Sequence, residues 1–471
     1  MRVSGDGEGV EVNSHAVRTR TMTMTRNTVP RLKWTMRVRR MLVFSLGIAT
    51  TVLAAPRPAS AVPAFARKYG VRCTVCHEAW PALNDFGRAF RDNGYRMNLG
   101  KDEPTATEPA YWPVFAAAQP HFGFDLVKSH GAATETTLER NGQFQSGVSL
   151  LGAIGTLGEH ASYLVIPVAS VNGLTVGFPA AWIRFNNLFD TSWLNVRVGS
   201  AEPDLPISRL RDLDLTGVGL GAYAYHTPGS ASNFDMASDQ PGLEFMGHSR
   251  GSRTRYSVSV FNVSGAPEKA AAFNTPGVYG HFTQKLFSDH GALTAIELGA
   301  FGSFATWPVG VPGGPVASTG TANASPGQTE RKAAVKYGGE VHAWLGPDAL
   351  PVHAIFTLLQ GRDDRALFPG GVQDGVFNGG FLEVIANPAL PLVIFGRFDF
   401  VRNRDQALPG RARGFNDQTA YGVGVKHTFE FTTRAEYALV VNYSLSQTKQ
   451  GASDGSDLTH HSLWTGITFA F

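Results

Sequence analysis

The residues best suited to chemistry lie close together near the N-terminus: Cys73-Thr74-Val75-Cys76-His77 contains the only two cysteines of the 471-residue chain. Two thiols two residues apart, followed at once by an imidazole, can form thioethers to the vinyl groups of a haem while the histidine supplies the proximal nitrogen to iron. The spacing puts both sulfurs on one turn, over one edge of the porphyrin. A structural disulfide, a thioredoxin-like redox pair and half of a zinc site are the competing readings. The surroundings lack the βαβ pattern of a redox fold and the second cysteine pair of a zinc site. The motif therefore predicts one covalent haem c on Cys73, Cys76 and His77. Within residues 62–114 His77 is the only histidine and Met97 the only methionine, so Met97 is the candidate sixth ligand. His121 and His130 just beyond, or a five-coordinate iron, are the alternatives.

The segments around the motif must deliver it to an oxidising compartment and hold it there. Arg31, Lys33, Arg37, Arg39 and Arg40 precede a short apolar run, 41–49, and small residues follow at Ala59-Ser60-Ala61. That is the pattern of a secretory signal peptide with an Ala-x-Ala cleavage site. Residues 1–61 read as leader and signal, with translation beginning near Met36 or Met41 and the exported chain near Val62. After the motif, Trp80, Leu83, Phe86 and Phe90 recur at helical spacing and predict a helix whose apolar face could wall a haem. Arg72, Arg91 and Arg96 are candidate partners for its propionates. Residues 62–114 are thus expected to form a small α-helical monohaem cytochrome c segment.

Residues 115–471 change character. Tyr421, Val423, Val425, Phe429 and Phe431 alternate with Gly422, Gly424, Lys426, Thr428 and Glu430, and the next stretch repeats the pattern from Tyr437 to Leu445. Charges keep to one face, as Arg397 and Asp399 do between Ile394, Phe398 and Phe400. Such period-two alternation marks strands with two unlike faces. A soluble sandwich alternates as well, but loop lengths separate the two. In the second half short connections near 288–290, 346–350, 387–390 and 430–433 alternate with long ones near 307–329, 362–375, 404–417 and 447–460. Tight turns at one rim and long loops at the other define an up-and-down barrel of the outer-membrane type. The fold class is therefore all-β: a transmembrane barrel of about 16 strands with the helical haem segment at its N-terminus. One long segment, 201–239, is expected to fold inward or to hide two further strands. The chain ends on Phe471 in an aromatic strand, like the C-terminal signal of outer-membrane barrels.

Charge excludes one class of partner. Ten of the 41 Lys and Arg residues but only three of the 38 Asp and Glu lie in residues 1–61, so the remainder is slightly acidic. It offers no electrostatic footprint for nucleic acid. No stretch there approaches the ~20 consecutive apolar residues of a transmembrane helix, so insertion must be by strands. His460-His461 is a candidate metal pair and Asp363, Asp364 and Asp374 are acidic loop residues that could attract Fe(II); both patterns are also common on solvated surfaces.

The run Val62 to Gly70, the Cys-x-x-Cys-His motif and the stretch Trp80 to Tyr95 resemble the fused monohaem cytochrome–porin family of bacterial outer membranes, which includes iron(II) oxidases of iron-oxidising bacteria. The resemblance is specific over this segment and only architectural over the barrel. It carries over Cys73, Cys76 and His77 and no iron-binding residue. It implies an electron conduit in the outer membrane between an extracellular donor or acceptor, with Fe(II) as a candidate, and periplasmic cytochrome c, and an Fe(II):cytochrome c oxidoreductase as the candidate activity. A solute porin or receptor with a haem-bearing plug is the second expectation and a peroxidase the third.

Overall fold

The structure is a computed structural model that describes residues 63–471 apart from 72–74, 80–81, 98–112, 132–133, 172–173, 209–220, 233, 264–275, 288–292, 311–328, 347–349, 390, 411–413, 433–434, 452–454 and 471. The N-terminal segment consists of α1 (Pro63–Tyr69), a small hairpin of β1 (His77–Ala79) and β2 (Ala82–Leu83), and α2 (Asp85–Asp92). The helix expected from Trp80 onward is shorter than its apolar spacing suggested. Asn84 caps it, its side-chain oxygen accepting from the Gly87 amide at 2.8 Å, and this sets the start at Asp85.

The rest of the chain closes into one antiparallel barrel. Its strands are β3 (Val114–Ala118), β4 (His121–His130), β5 (Glu135–Gln145), β6 (Val148–Thr156), β7 (Ala161–Val171), β8 (Leu174–Phe185), β9 (Asn195–Ala201), β10 (Gln240–His248) and β11 (Thr254–Asn262). They continue with β12 (Pro276–Phe287), β13 (Leu293–Gly310), β14 (Thr329–Leu345), β15 (Val352–Asp363), β16 (Gly375–Ala389), β17 (Leu392–Asp405), β18 (Gln418–Thr432), β19 (Ala435–Thr448) and β20 (Asp457–Ala470). These eighteen segments make sixteen strands, because β3 runs on into β4 and β5 into β6. The two breaks face each other. Pro120 has no amide hydrogen for the ladder, and Gly147 sits at φ +59° with the Gln119 carbonyl where a Cβ would be. β20 closes the ring on β3 and β4, with Ala118 opposite Phe469 and His130 opposite Asp457.

Side chains sort by face as the alternation requires, but inside out relative to a water-soluble protein. Val258, Phe282, Leu358, Val423, Leu463 and Ile467 are exposed on the outside. Their strand neighbours Ser257, Thr283, Thr357 and Lys426 are buried toward the lumen. An apolar outer wall around a polar interior is the pattern of a barrel standing in lipid. Among the described residues no helix is long and apolar enough to cross a membrane. In the second half the connections alternate as expected: tight at 249–253, 288–292, 346–351, 390–391 and 433–434, long at 263–275, 311–328, 364–374, 406–417 and 449–456.

The long connection 202–239 folds inward, which decides the question left by the sequence. Ile207, Tyr223, Phe234 and Met236 are almost fully buried against lumen-facing Phe301, Phe377 and Phe381. Lys336 reaches in from β14 and donates to the carbonyls of Tyr223 and Phe234, Tyr279 donates to the Asp204 carbonyl at 2.7 Å, and Asp363 accepts from the Thr227 amide at 2.9 Å. The loop thus packs an apolar cluster against the β11–β18 side of the lumen, where a wide barrel ordinarily holds water.

Candidate functional site

The Cys-x-x-Cys-His turn is fixed by the start of α2. The Asn84 amide donates to the Cys76 carbonyl and its Nδ2 to the Val75 carbonyl, both at 3.0 Å, while His77 pairs with Leu83 across the hairpin. Helix and turn touch backbone to backbone at Gly87, where a Cβ would collide with the Cys76 carbonyl. Cys76 and His77 are half-buried; Cys73 and Arg72 lie outside the described residues. Met97 is half-buried beside Arg96, whose Nη1 donates to the Glu159 carbonyl at 2.5 Å.

The apolar stripe of α2 splits between two surroundings. Phe90 is buried among Phe65, Tyr69 and Tyr95, edge-on to Phe65 at 5.1 Å and to Tyr69 at 5.7 Å, while Tyr95 stacks on Phe65 at 4.8 Å. This cluster is the segment's own core. Phe86 and Val75 remain exposed, at 46% and 37%. Bare apolar side chains flanking a Cys-His turn fit a porphyrin face, and the donor set of thiol and imidazole fits its attachment and ligation. Burial pushes the Cys76 thiol up to about 11, which is opposite to the lowered thiol of a thioredoxin-like pair.

α2 holds the segment inside the barrel. Asp85 pairs with Lys285 of β12 at 2.5 Å, and Arg88 lies 3.7 Å from Glu297 of β13 and over the Trp344 ring of β14 at 4.8 Å. Arg184 of β8 donates to the Arg91 carbonyl. Arg255 of β11 stands 3.4 Å from Asp92 while both of its bonds to Asp204, at 2.8 Å, clamp the inward loop. On another part of the wall Ala66 of α1 packs on Ala117 and Ala470. All these wall residues are near the tight turns, so the segment spans the lumen at that rim. Burial would raise the Asp92 carboxyl, but Arg91 and Arg255 prevail and hold it at about 2.

Other residues named from the sequence have local roles. Arg91 pairs with Asp92 at 2.8 Å. His121 is in the barrel wall, its ring 5.2 Å from Trp464, and His130 is at the opposite rim, 3.5 Å from Glu135. His460 and His461 point to opposite faces, as neighbours on a strand must. They bond Asp125 and the Tyr443 hydroxyl, both at 2.9 Å, and do not form a pair. Asp374 pairs with Arg362, and Asp364 accepts from the Ala366 amide at 2.8 Å.

Sequence reasoning missed a buried group in the lumen beneath α2: His281, Glu297, Glu340, His342 and His353. Its signal was present as charged residues on the inward face, Glu340 and His342 being two apart on β14. Strand pairing alone brings in the others, setting Glu297 opposite His342.

Barrel and segment together define a sixteen-stranded membrane barrel with a Cys-x-x-Cys-His segment in its mouth. No protein-family model matches the chain, and no curated protein matches it. Among solved structures the chain is similar to the anion-selective porin from Comamonas acidovorans, at 13% identity and a TM-score of 0.47 over 76% of this chain and 98% of that one. It is also similar to a loop-deletion form of OmpT, an outer membrane protein of Vibrio cholerae, at 11% identity and 0.45 over 76% and 99%, and to Pseudomonas putida OprB, at 14% and 0.43 over 76% and 94%.

Proposed function

We propose that this chain is a bacterial outer-membrane electron conduit, moving single electrons between an extracellular donor or acceptor, with Fe(II) as the candidate donor, and periplasmic cytochrome c. One covalent haem c would be held by Cys73 and Cys76, with His77 as proximal and Met97 as distal ligand. Bound there, it supplies a one-electron couple whose potential follows axial ligation and burial. The observation that carries the reading is the clamping of the motif segment inside the barrel at its tight-turn rim, the periplasmic side in barrels of this type.

The chain's residues divide the work. Asn84 and Gly87 fix the motif turn, and Phe86 and Val75 offer apolar surface to a flat cofactor. Asp85, Arg88 and Asp92 anchor the segment to the wall. The apolar cluster of Phe234, Met236 and Phe377 narrows the lumen from the β11–β18 side, which suits an insulated path and opposes free solute flow. The second reading, a solute porin with a haem-bearing plug, is favoured by the sixteen-stranded barrel.

Proteoliposomes containing the purified protein and enclosing cytochrome c test the proposal. External Fe(II) reduces the enclosed cytochrome faster than in empty vesicles if the chain conducts. Equal rates, with sugar-driven swelling instead, overturn the conduit in favour of the solute porin.

A further inference from the structure

We infer that Glu297, Glu340 and His342 form a binding site for one divalent first-row transition-metal ion in the barrel lumen, separate from the Cys-x-x-Cys-His turn. The three side chains are 3%, 4% and 5% exposed. One ligand atom from each lies within 4.8 Å of the others. The fold brings them together by register: Glu297 is directly opposite His342, and Glu340, two residues earlier on β14, shares the inward face.

Two buried atoms aim into the centre of the group. His342 Nε2 and Glu340 Oε2 face each other at 3.5 Å, and neither has a hydrogen-bond partner. Unsatisfied buried atoms of this kind are costly, and a carboxylate facing a ring nitrogen needs a proton or a cation between them. A separation of 3.5 Å also matches the ligand-to-ligand edge of a tetrahedral ion with bonds of ~2.0–2.2 Å.

The surroundings orient these donors as ligands. His281 bridges Asp204 and Glu340, with Nδ1 3.1 Å from the first and Nε2 3.0 Å from the second, which fixes Glu340 Oε1 and leaves Oε2 directed at His342. His342 Nδ1 lies 3.2 Å from His353 Nε2. With Nδ1 as the donor of that bond, the lone pair of His342 is on Nε2, the atom turned to the site. The His353 ring is itself stacked on Trp344 at 4.4 Å. One imidazole and two carboxylates suit Mn(II), Fe(II), Co(II) or Zn(II) and leave positions open for water. Arg88 at 3.7 Å from Glu297 and His281 at 3.0 Å from Glu340 are the competing basic side chains, and the position of Arg88 on α2 links the site to the docked segment.

Mn(II) is the probe, added to purified full-length holoprotein in detergent and read as loss of the free-ion paramagnetic resonance signal. The site predicts saturable uptake of one ion per chain. H342A and the isosteric E340Q should each weaken it at least ~10-fold, and H461A, far from the group, should bind as the parent does. Uptake unchanged in E340Q overturns the assignment, as does no saturable uptake by the parent. Heat-dependent gel mobility confirms a closed barrel for each variant, and E340Q, which preserves shape, decides the matter if H342A does not fold.

Discussion

Arg255 joins three parts of the molecule, the wall, the inward loop and α2, so its removal tests how the segment is held. Arg255→Met keeps the bulk of the side chain and deletes its charge. Asp204 then loses two charge-assisted bonds at 2.8 Å, and Asp92 loses one of its two arginine neighbours. The Asp92 carboxyl stands at about 2 instead of the ordinary 3.8, a difference worth about 2 kcal/mol at ~1.36 kcal/mol per pKa unit. Arg91 remains, so Arg255 accounts for about half of it, ~1 kcal/mol; the Asp204 bonds hold the inward loop and are lost whether the segment is docked or not. A loss of about 1 kcal/mol raises the undocked fraction roughly 5-fold. Trypsin cutting within the segment of the folded, detergent-solubilised barrel reads that fraction directly. Cutting at the parent rate, against the ~5-fold increase expected, would refute the docking argument. The pH dependence has a definite sign. Because the folded carboxyl is depressed, its contribution is complete above the unfolded value near ~4 and is lost as pH falls through about 2, so parental protection holds from neutral pH to about 4.5 and declines below.

The outer wall and the motif turn give two further expectations. Val423→Arg puts a charge on the lipid face of β18, where Val423 is 55% exposed, and should destabilise folding into bilayers by ~2–4 kcal/mol in a denaturant titration; an unchanged midpoint would contradict the assignment of that face. Gly87→Ala forces α2 away from the Cys76 carbonyl and should lower the haem-to-protein ratio while barrel mobility on gels stays as in the parent.

Much of the barrel was legible because its two signals are periodic. Alternation located β7, β10, β12 and β18 closely, and turn lengths gave their directions. The start of β5 at Glu135 is not legible, because the strand is exposed on nearly every residue and has no two-sided pattern to read. The last strand was expected near 461 and begins at Asp457, where Asp457 and Thr459 look like loop. The Cys-x-x-Cys-His motif was visible as a spacing, but its position in the lumen was not. That position depends on ion pairs such as Asp85–Lys285, between residues far apart in sequence. The Glu297, Glu340 and His342 group was hidden for a similar reason: only strand register makes those residues neighbours.

The seam between β4 and β20 has a consequence for the order of biogenesis. Ser129 and Ser456, which touch there, are 327 residues apart, and contacts of such long range form late and slowly. The core of the N-terminal segment, Phe65, Tyr69, Phe90 and Tyr95, is local and can assemble at once. A body wedged between opposite walls cannot easily enter a finished ring, so the segment must mature and take its place before the last strand arrives to seal the first.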